Sequence, residues 1–137
     1  MKLRCPVCKE ILNVQYSCAN SHQYKMEEGV LKLMTPEFDS MLTSWLVDFE
    51  DFRKSSIKKL DYDGLPKSGI AIDKNIWKAR VQDLEIISAL IDDKCESVLD
   101  IGSWNGWLAN SLTQKRLRVT AIDYFIDELD GMKAKNF

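Results

Sequence analysis

The chain has 137 residues, of which 45% are hydrophobic and 29% are charged, and its formal net charge is -2. This composition excludes wholesale disorder, and it argues against a protein that holds nucleic acid mainly by counterion release. The N-terminal segment lacks the apolar run of an export signal, and no stretch approaches the roughly 18 apolar residues of a membrane span. We therefore expect a cytoplasmic protein with no membrane partner.

Metal-ligating residues are concentrated near the N-terminus. Cys5 and Cys8 form a C-x2-C pair, and Cys18 and His22 form a C-x3-H pair shortly after it. In a reducing compartment such clusters bind metal more often than they form disulfides, and zinc takes four such ligands in a tetrahedron. The pattern predicts a structural zinc site with every position filled by protein. The alternative is a set of buried or free cysteines without metal.

Short apolar runs lie between and after the ligand pairs, at residues 11–14, 23–26 and 29–34. Their length predicts short strands separated by metal-bearing turns. Together with the ligand spacing they predict a small zinc ribbon over residues 1–34.

A different hydrophobic period begins after residue 34. Seven apolar residues recur at the spacing of one helix face: Phe38, Met41, Leu42, Trp45, Leu46, Phe49 and Phe52. Thr35 suits the N-cap of this helix and Pro36 its first position. A loop rich in Gly and Pro follows at 61–69, so residues 35–66 are predicted to form a helical linker. Basic residues near the helix end are typical of a solvated surface, with RNA contact as the alternative: Arg53, Lys54, Lys58 and Lys59.

The second half of the chain alternates helices and strands. A helix is predicted from after Asp73 to about Asp92, with one side formed by positions 76, 77, 80, 84, 87 and 91. A buried strand at 97–101, a helix at 105–115 and a second strand at 118–123 follow. This order predicts a βαβ unit with parallel strands.

The segment VLDIGSWNGWLA, residues 98–109, joins the first of these strands to the helix. Gly102 and Gly106 would let the backbone approach a ligand where a Cβ would clash. The segment does not fit the dinucleotide pattern G-x-G-x-x-G, which disfavours a nicotinamide-dependent oxidoreductase. A turn without any ligand is the simpler alternative.

The pattern D-x-G-x-x-x-G resembles motif I of Rossmann-like S-adenosylmethionine-dependent methyltransferases, and the resemblance continues through residue 137. It implies that Asp123 accepts hydrogen bonds from the ribose hydroxyls of the cofactor. It also implies that Asp100, Gly102 and Gly106 shape the pocket for the methionine portion. Trp104 departs from the family, which commonly has glycine there, and its indole would stack on the cofactor, cover the loop or obstruct it.

The N-terminal segments CPVCKEIL and SCANSHQYKMEEGVLKLM resemble zinc ribbons that precede some bacterial methyltransferase domains. The rRNA guanine-N1 methyltransferases carry a similar Cys-Cys-Cys-His module. This likeness is specific for zinc, and it leaves the methyl acceptor open between a small molecule and an RNA.

Together these features predict an α/β protein with a small zinc ribbon, a helical linker and, over residues 67–137, the first βαβ part of a Rossmann-like methyltransferase domain. Such domains contain more strands than the two predicted, so we expect the N-terminal portion of a longer enzyme, inactive alone, with unassigned catalytic residues. The alternative is a zinc-ribbon binding or assembly module with a vestigial, non-catalytic half-domain. An exposed sheet edge would favour oligomers.

Overall fold

The computed structural model of the protein describes residues 2–56, 62–124 and 131–132. These residues fall into two units, with 2–56 in the first and the remainder in the second. The side chains of the predicted basic cluster at 53, 54, 58 and 59 lie outside the described part of the chain. Most residues after Asp123, which are part of the segment that resembles methyltransferases, also lie outside the described part of the chain.

The N-terminal segment contains little regular strand. Strand β1 (Met26–Glu27) pairs antiparallel with β2 (Val30–Leu31), and isolated bridges join Arg4 to Ile11 and Ser17 to Gln23. Most residues of the strands predicted at 11–14 and 23–26 are therefore not in regular strands. The backbone between the cysteines forms turns there instead. Its small core consists of Cys5, Leu12 and Cys18, against which Leu3, Cys8, Tyr24 and Leu33 pack.

Helix α1 (Pro36–Ser56) begins where its capping residues predict. The Phe38 backbone N–H donates to Thr35 Oγ1 at 3.2 Å, and Lys32 pairs with Asp39 in the first turn at 2.7 Å. The predicted apolar face is only partly covered. Leu42 is buried, whereas three large side chains remain exposed: Phe38, Met41 and Trp45.

In the second unit, helix α2 (Lys74–Leu90) follows a short 3₁₀ turn at Ser68–Ala71. Its start after Asp73 is confirmed, since that carboxylate accepts the backbone N–H groups of Asn75 and Ile76, both at 3.1 Å. Trp77 on α2 is only 3% exposed, and it packs so closely on Gly69 that there is no room there for a Cβ.

A βαβ unit follows, as predicted. Strand β3 (Ser97–Ile101), helix α3 (Trp107–Thr113) and strand β4 (Arg118–Ile122) are consecutive, and β3 pairs with β4 in parallel over all five residues. Asp100 stands opposite Ala121 in this register. The described residues thus form a mixed α/β structure with three α-helices and two small sheets.

The prediction that the first strand is buried is wrong for the described structure. Leu99 and Ile101 on β3 are 50% and 76% exposed, and Ile122 on β4 is 47% exposed. These three side chains share one face of the sheet, because alternate residues of paired strands point the same way. Ala109 and Leu112 of α3 are buried, so helix packing covers only part of the unit. No helix in the described ranges is both long and apolar enough to cross a membrane.

Candidate functional site

Two turns of similar construction carry the four predicted metal ligands. In the first, the Lys9 N–H donates to the Cys5 carbonyl at 2.9 Å, and in the second the Ser21 N–H donates to the Cys18 carbonyl at 3.0 Å. Lys9 and Ser21 both adopt positive φ values, 66° and 63°, which bend the chain back sharply. Each turn therefore directs its two ligand side chains to one side.

The structure brings all four ligand side chains together, and we call them the metal cluster: Cys5, Cys8, Cys18 and His22. Their ligand atoms all lie within 4.8 Å of one another. The Sγ atoms of Cys8 and Cys18 are 3.6 Å apart, and His22 Nδ1 lies 3.3 Å from Cys18 Sγ and 3.6 Å from Cys5 Sγ. None of the cysteines forms a disulfide.

The three individual separations, 3.3 to 3.6 Å, are close to the edges of a zinc tetrahedron. Zinc–sulfur bonds of about 2.3 Å and zinc–nitrogen bonds of about 2.0 Å give edges of roughly 3.5–3.8 Å. A Cys₃His donor set fills all four positions with protein, which is typical of structural sites. The metal cluster therefore has the donor chemistry and the spacing to hold a metal ion.

Hydrogen bonding around Cys5 favours its thiolate form. Burial acts to raise the pKa of the Cys5 thiol, but hydrogen bonds from the Cys8 backbone N–H, the Tyr24 hydroxyl and other nearby donors bring the pKa down to about 6. The Tyr24 Oη to Cys5 Sγ distance is 3.0 Å. Burial and the neighbouring thiols raise the pKa of Tyr24 to about 12, so its hydroxyl keeps its proton. Burial raises the pKa of Cys18.

The second candidate site is the glycine loop, residues 102–106, between β3 and α3. The N–H groups of Gly102 and Ser103 both donate to the Ile122 carbonyl, at 2.8 and 3.1 Å, which ties the loop to the end of β4. Gly102, Trp104 and Gly106 all have positive φ values. For a residue as large as tryptophan this is an uncommon backbone conformation.

Asp123 lies at the same end of the sheet and holds the loop. Its Oδ2 atom accepts the Trp104 backbone N–H at 2.6 Å. Burial and the nearby Asp123 carboxylate raise the pKa of Asp100, while a hydrogen bond from the Ala109 backbone acts to lower it. The structure thus brings the predicted cofactor residues to one end of the sheet and gives Trp104 direct contact with Asp123.

Buried polar atoms without partners are concentrated around this loop. Among the described residues, the buried side-chain atoms that lack a hydrogen-bond partner are Asp100 Oδ2, Ser103 Oγ and Asn105 Nδ2. Ser103 is 3% and Asn105 1% exposed. Such groups normally find partners, so their clustering here is consistent with a ligand site.

Sequence reasoning missed a tryptophan–arginine cluster beside the loop, composed of Trp77, Arg80, Trp104 and Trp107. The Arg80 Cζ atom lies 4.4, 4.6 and 6.0 Å from the ring centroids of Trp77, Trp104 and Trp107. One signal was present in the sequence, because Arg80 is the charged residue on the predicted apolar side of α2. Tyr24 was also missed, since its position predicted only a strand residue.

No protein-family model, curated protein or solved structure matches the chain. The metal cluster and the glycine loop are therefore the features of the chain that indicate a function.

Proposed function

We propose that the protein is an S-adenosylmethionine-dependent methyltransferase with a structural zinc ribbon. The observation that carries the proposal is that Asp100, the glycine loop and Asp123 lie together at the carboxyl ends of two parallel strands. In open α/β sheets, ligands bind outside the carboxyl ends of the strands. The three unpartnered polar atoms at the same end add to the support.

The residues of the loop suit different parts of the cofactor. Gly102 is exposed, and no atom lies within 4 Å of the position that a Cβ would occupy, so its backbone is approachable. A carboxylate has several acceptor positions, so Asp123 would accept hydrogen bonds from ribose hydroxyls while it retains the Trp104 N–H. Asp100 and Gly106 would border the pocket for the methionine portion.

Catalysis in this proposal depends on positioning. S-adenosylmethionine, when bound, supplies a methyl group that its sulfonium makes electrophilic. The only histidine of the chain, His22, belongs to the metal cluster, so no histidine serves as a general base. The protein would act by holding the cofactor and the methyl acceptor in a reactive alignment.

Zinc in the metal cluster would stabilise the ribbon and take no part in methyl transfer. A closed Cys₃His set leaves no coordination position for water or substrate. Native mass spectrometry and metal analysis should find one zinc ion per chain, lost in Cys18→Ser and retained in Cys95→Ser. Cys95 is a matched control because it lies outside the metal cluster. Equal zinc content in both variants would contradict this assignment.

The decisive test of the methyltransferase proposal is calorimetric titration of the intact protein with S-adenosylhomocysteine. Asp123→Ala should weaken binding about tenfold or more, because charge-assisted hydrogen bonds to the ribose are lost. Asp93→Ala is the control, since Asp93 is exposed and follows α2. Unchanged affinity in Asp123→Ala, or NAD binding that competes with the titrant, would refute the proposal.

One observation favours the alternative, a zinc-ribbon binding or assembly module. Trp104 occupies the middle of the loop, and its backbone N–H donates a hydrogen bond to the Asp123 carboxylate. A loop closed in this way suits a non-catalytic domain. In that case the wild-type protein would bind no S-adenosylhomocysteine, and partner binding would be lost when the zinc is removed.

A further inference from the structure

The Arg80 guanidinium lies against two indole rings at the edge of the glycine loop. Its Cζ atom is 4.4 Å from the Trp77 ring centroid and 4.6 Å from that of Trp104, and the two centroids are 6.1 Å apart. Guanidinium groups stack favourably on aromatic faces in this arrangement. The two rings therefore hold the guanidinium beside the loop.

This half-buried cation has no counter-ion in the described part of the chain. Of the described carboxylates, none lies within ion-pair distance of Arg80, and no described acceptor receives a hydrogen bond from its guanidinium. Asp73 and Asp83 act on it only at longer range, and burial lowers its pKa. A partly desolvated charge without a partner costs free energy, so an anion that reached it would bind favourably.

The donors of Arg80 are free to make this contact. A guanidinium carries five N–H donors, and those of Arg80 have no hydrogen-bond acceptor among the described residues. On the loop, Ser103 and Asn105 flank Trp104 and carry buried polar atoms without partners. The region around Trp104 therefore contains one cation and two hydrogen-bond donors without an acceptor.

We propose that Arg80 is a ligand-binding residue whose N–H edge pairs with a carboxylate of the molecule bound by the glycine loop. In S-adenosylmethionine this group is the carboxylate of the amino-acid end. The planar, two-oxygen carboxylate matches the fork of a guanidinium, and Trp77 and Trp104 hold that of Arg80 beside the loop. The inference rests on the proposed function, because that function supplies the ligand.

The test compares two ligands on the intact protein. S-adenosylhomocysteine has the carboxylate, whereas 5′-methylthioadenosine has the same nucleoside and thioether without the amino-acid end. Arg80→Gln should weaken binding of S-adenosylhomocysteine by about 10- to 100-fold and leave that of methylthioadenosine unchanged. Lys78→Gln is the matched control, because it removes an exposed charge from the same helix, and it should change neither affinity.

Each other outcome overturns the proposal. Equal weakening of both ligands would mean that Arg80 acts only by holding Trp104, and no weakening would mean that its partner is another anion, such as one on the methyl acceptor. If Arg80→Gln does not fold, Arg80→Lys replaces it and should show a smaller loss confined to S-adenosylhomocysteine. A wild-type protein that binds neither ligand refutes the proposed function itself, whereas full binding by both proteins refutes only the role of Arg80.

Discussion

The metal cluster and the glycine loop differ in how their polar atoms are satisfied. In the metal cluster, three thiols and an imidazole converge on one point, and Cys5 also receives hydrogen bonds from Tyr24 and a backbone N–H. At the glycine loop, three buried polar atoms have no partner within the described residues, and a tryptophan adopts a positive φ. The donors of the metal cluster share one centre, whereas the glycine loop retains several unused hydrogen-bonding groups.

This difference arises because the residues of the metal cluster are close together in the sequence, whereas those around the glycine loop are far apart. The metal cluster uses two short turns, each closed by its own backbone hydrogen bond. The glycine loop depends on groups from three separate elements, since Arg80 comes from α2 and Asp123 follows β4. Residue spacing alone specifies a local site, whereas a dispersed site forms only when the tertiary structure does.

Metal removal should have the largest effect of the changes considered, which is loss of the folded structure of the ribbon. The second unit should not be affected. A strong chelator should abolish the dispersed amide NMR signals of residues 2–34, because structural zinc supplies about 10–16 kcal/mol in comparable small modules. Signals from β3 and β4 should stay unchanged. Cys18→Ser should reproduce the effect, and Cys95→Ser should not. If the ribbon kept its dispersed signals without metal, the metal cluster would not be required for its fold, and this prediction would be wrong.

Two glycine substitutions should separate packing from backbone strain in the second unit. An added Cβ at Gly69 would clash with the ring of buried Trp77, so Gly69→Ala should cost about 3 kcal/mol of unfolding free energy by overpacking. Gly102→Ala should cost only about 1 kcal/mol, since its Cβ meets open space and the penalty arises from a φ of 76°. Urea unfolding curves measure both, and the reverse order would contradict the packing argument.

Loss of the Tyr24 hydroxyl should weaken metal binding without unfolding the ribbon. Tyr24→Phe keeps the ring that packs on the small core but removes the hydrogen bond to Cys5 Sγ, so zinc affinity should fall about tenfold. Competition with a chromophoric chelator measures this change. Tyr16→Phe is the control, because no hydrogen bond joins the Tyr16 hydroxyl to the metal cluster. Equal affinities of the two variants would exclude a role for the Tyr24 hydroxyl.

The smallest predicted effect is a pH-dependent gain of stability in Asp100→Asn. Burial and Asp123 raise the pKa of Asp100, so its ionisation costs more in the folded protein than in the unfolded chain. The stability that Asp100 contributes is fully present below the ordinary carboxyl pKa and is lost as the pH rises through its folded pKa.

Asp100→Asn should therefore raise the urea midpoint at pH 7 and change it little in acid, as followed by the amide signals of β3 and β4. The substitution keeps an oxygen acceptor while it removes the charge. Asp93→Asn should shift neither midpoint. An equal gain at both pH values would mean that ionisation of Asp100, through burial of its charge and repulsion by Asp123, is not the cause.

Several features of the fold follow from local sequence rules. Thr35 and Asp73 each cap a helix at the predicted residue, because their side-chain oxygens accept the N–H groups that the first turn leaves unpaired. The order strand, helix, strand correctly predicts the parallel pairing of β3 and β4. Ligand spacing predicts that the four metal-ligating side chains come together.

Other features depend on tertiary contacts that spacing does not encode. The contact of Arg80 with Trp104 requires α2 to pack beside the loop, and sequence periodicity gives only the face on which Arg80 lies. The apolar composition of residues 97–101 predicted a buried strand, but Leu99 and Ile101 are exposed. Composition does not reveal which layers cover a sheet. The identity of the ligand at the glycine loop remains a prediction.

The tryptophan–arginine cluster also gives the protein an optical reporter of its own. Three of its four tryptophans belong to this cluster, and their neighbouring ring centroids are 6.1 Å apart. Indoles at this separation couple their electronic transitions, so the folded second unit should have a strong near-ultraviolet circular dichroism signal. A ligand that repositions Trp104 would change this signal, and occupancy of the glycine loop could then be followed in solution without a label.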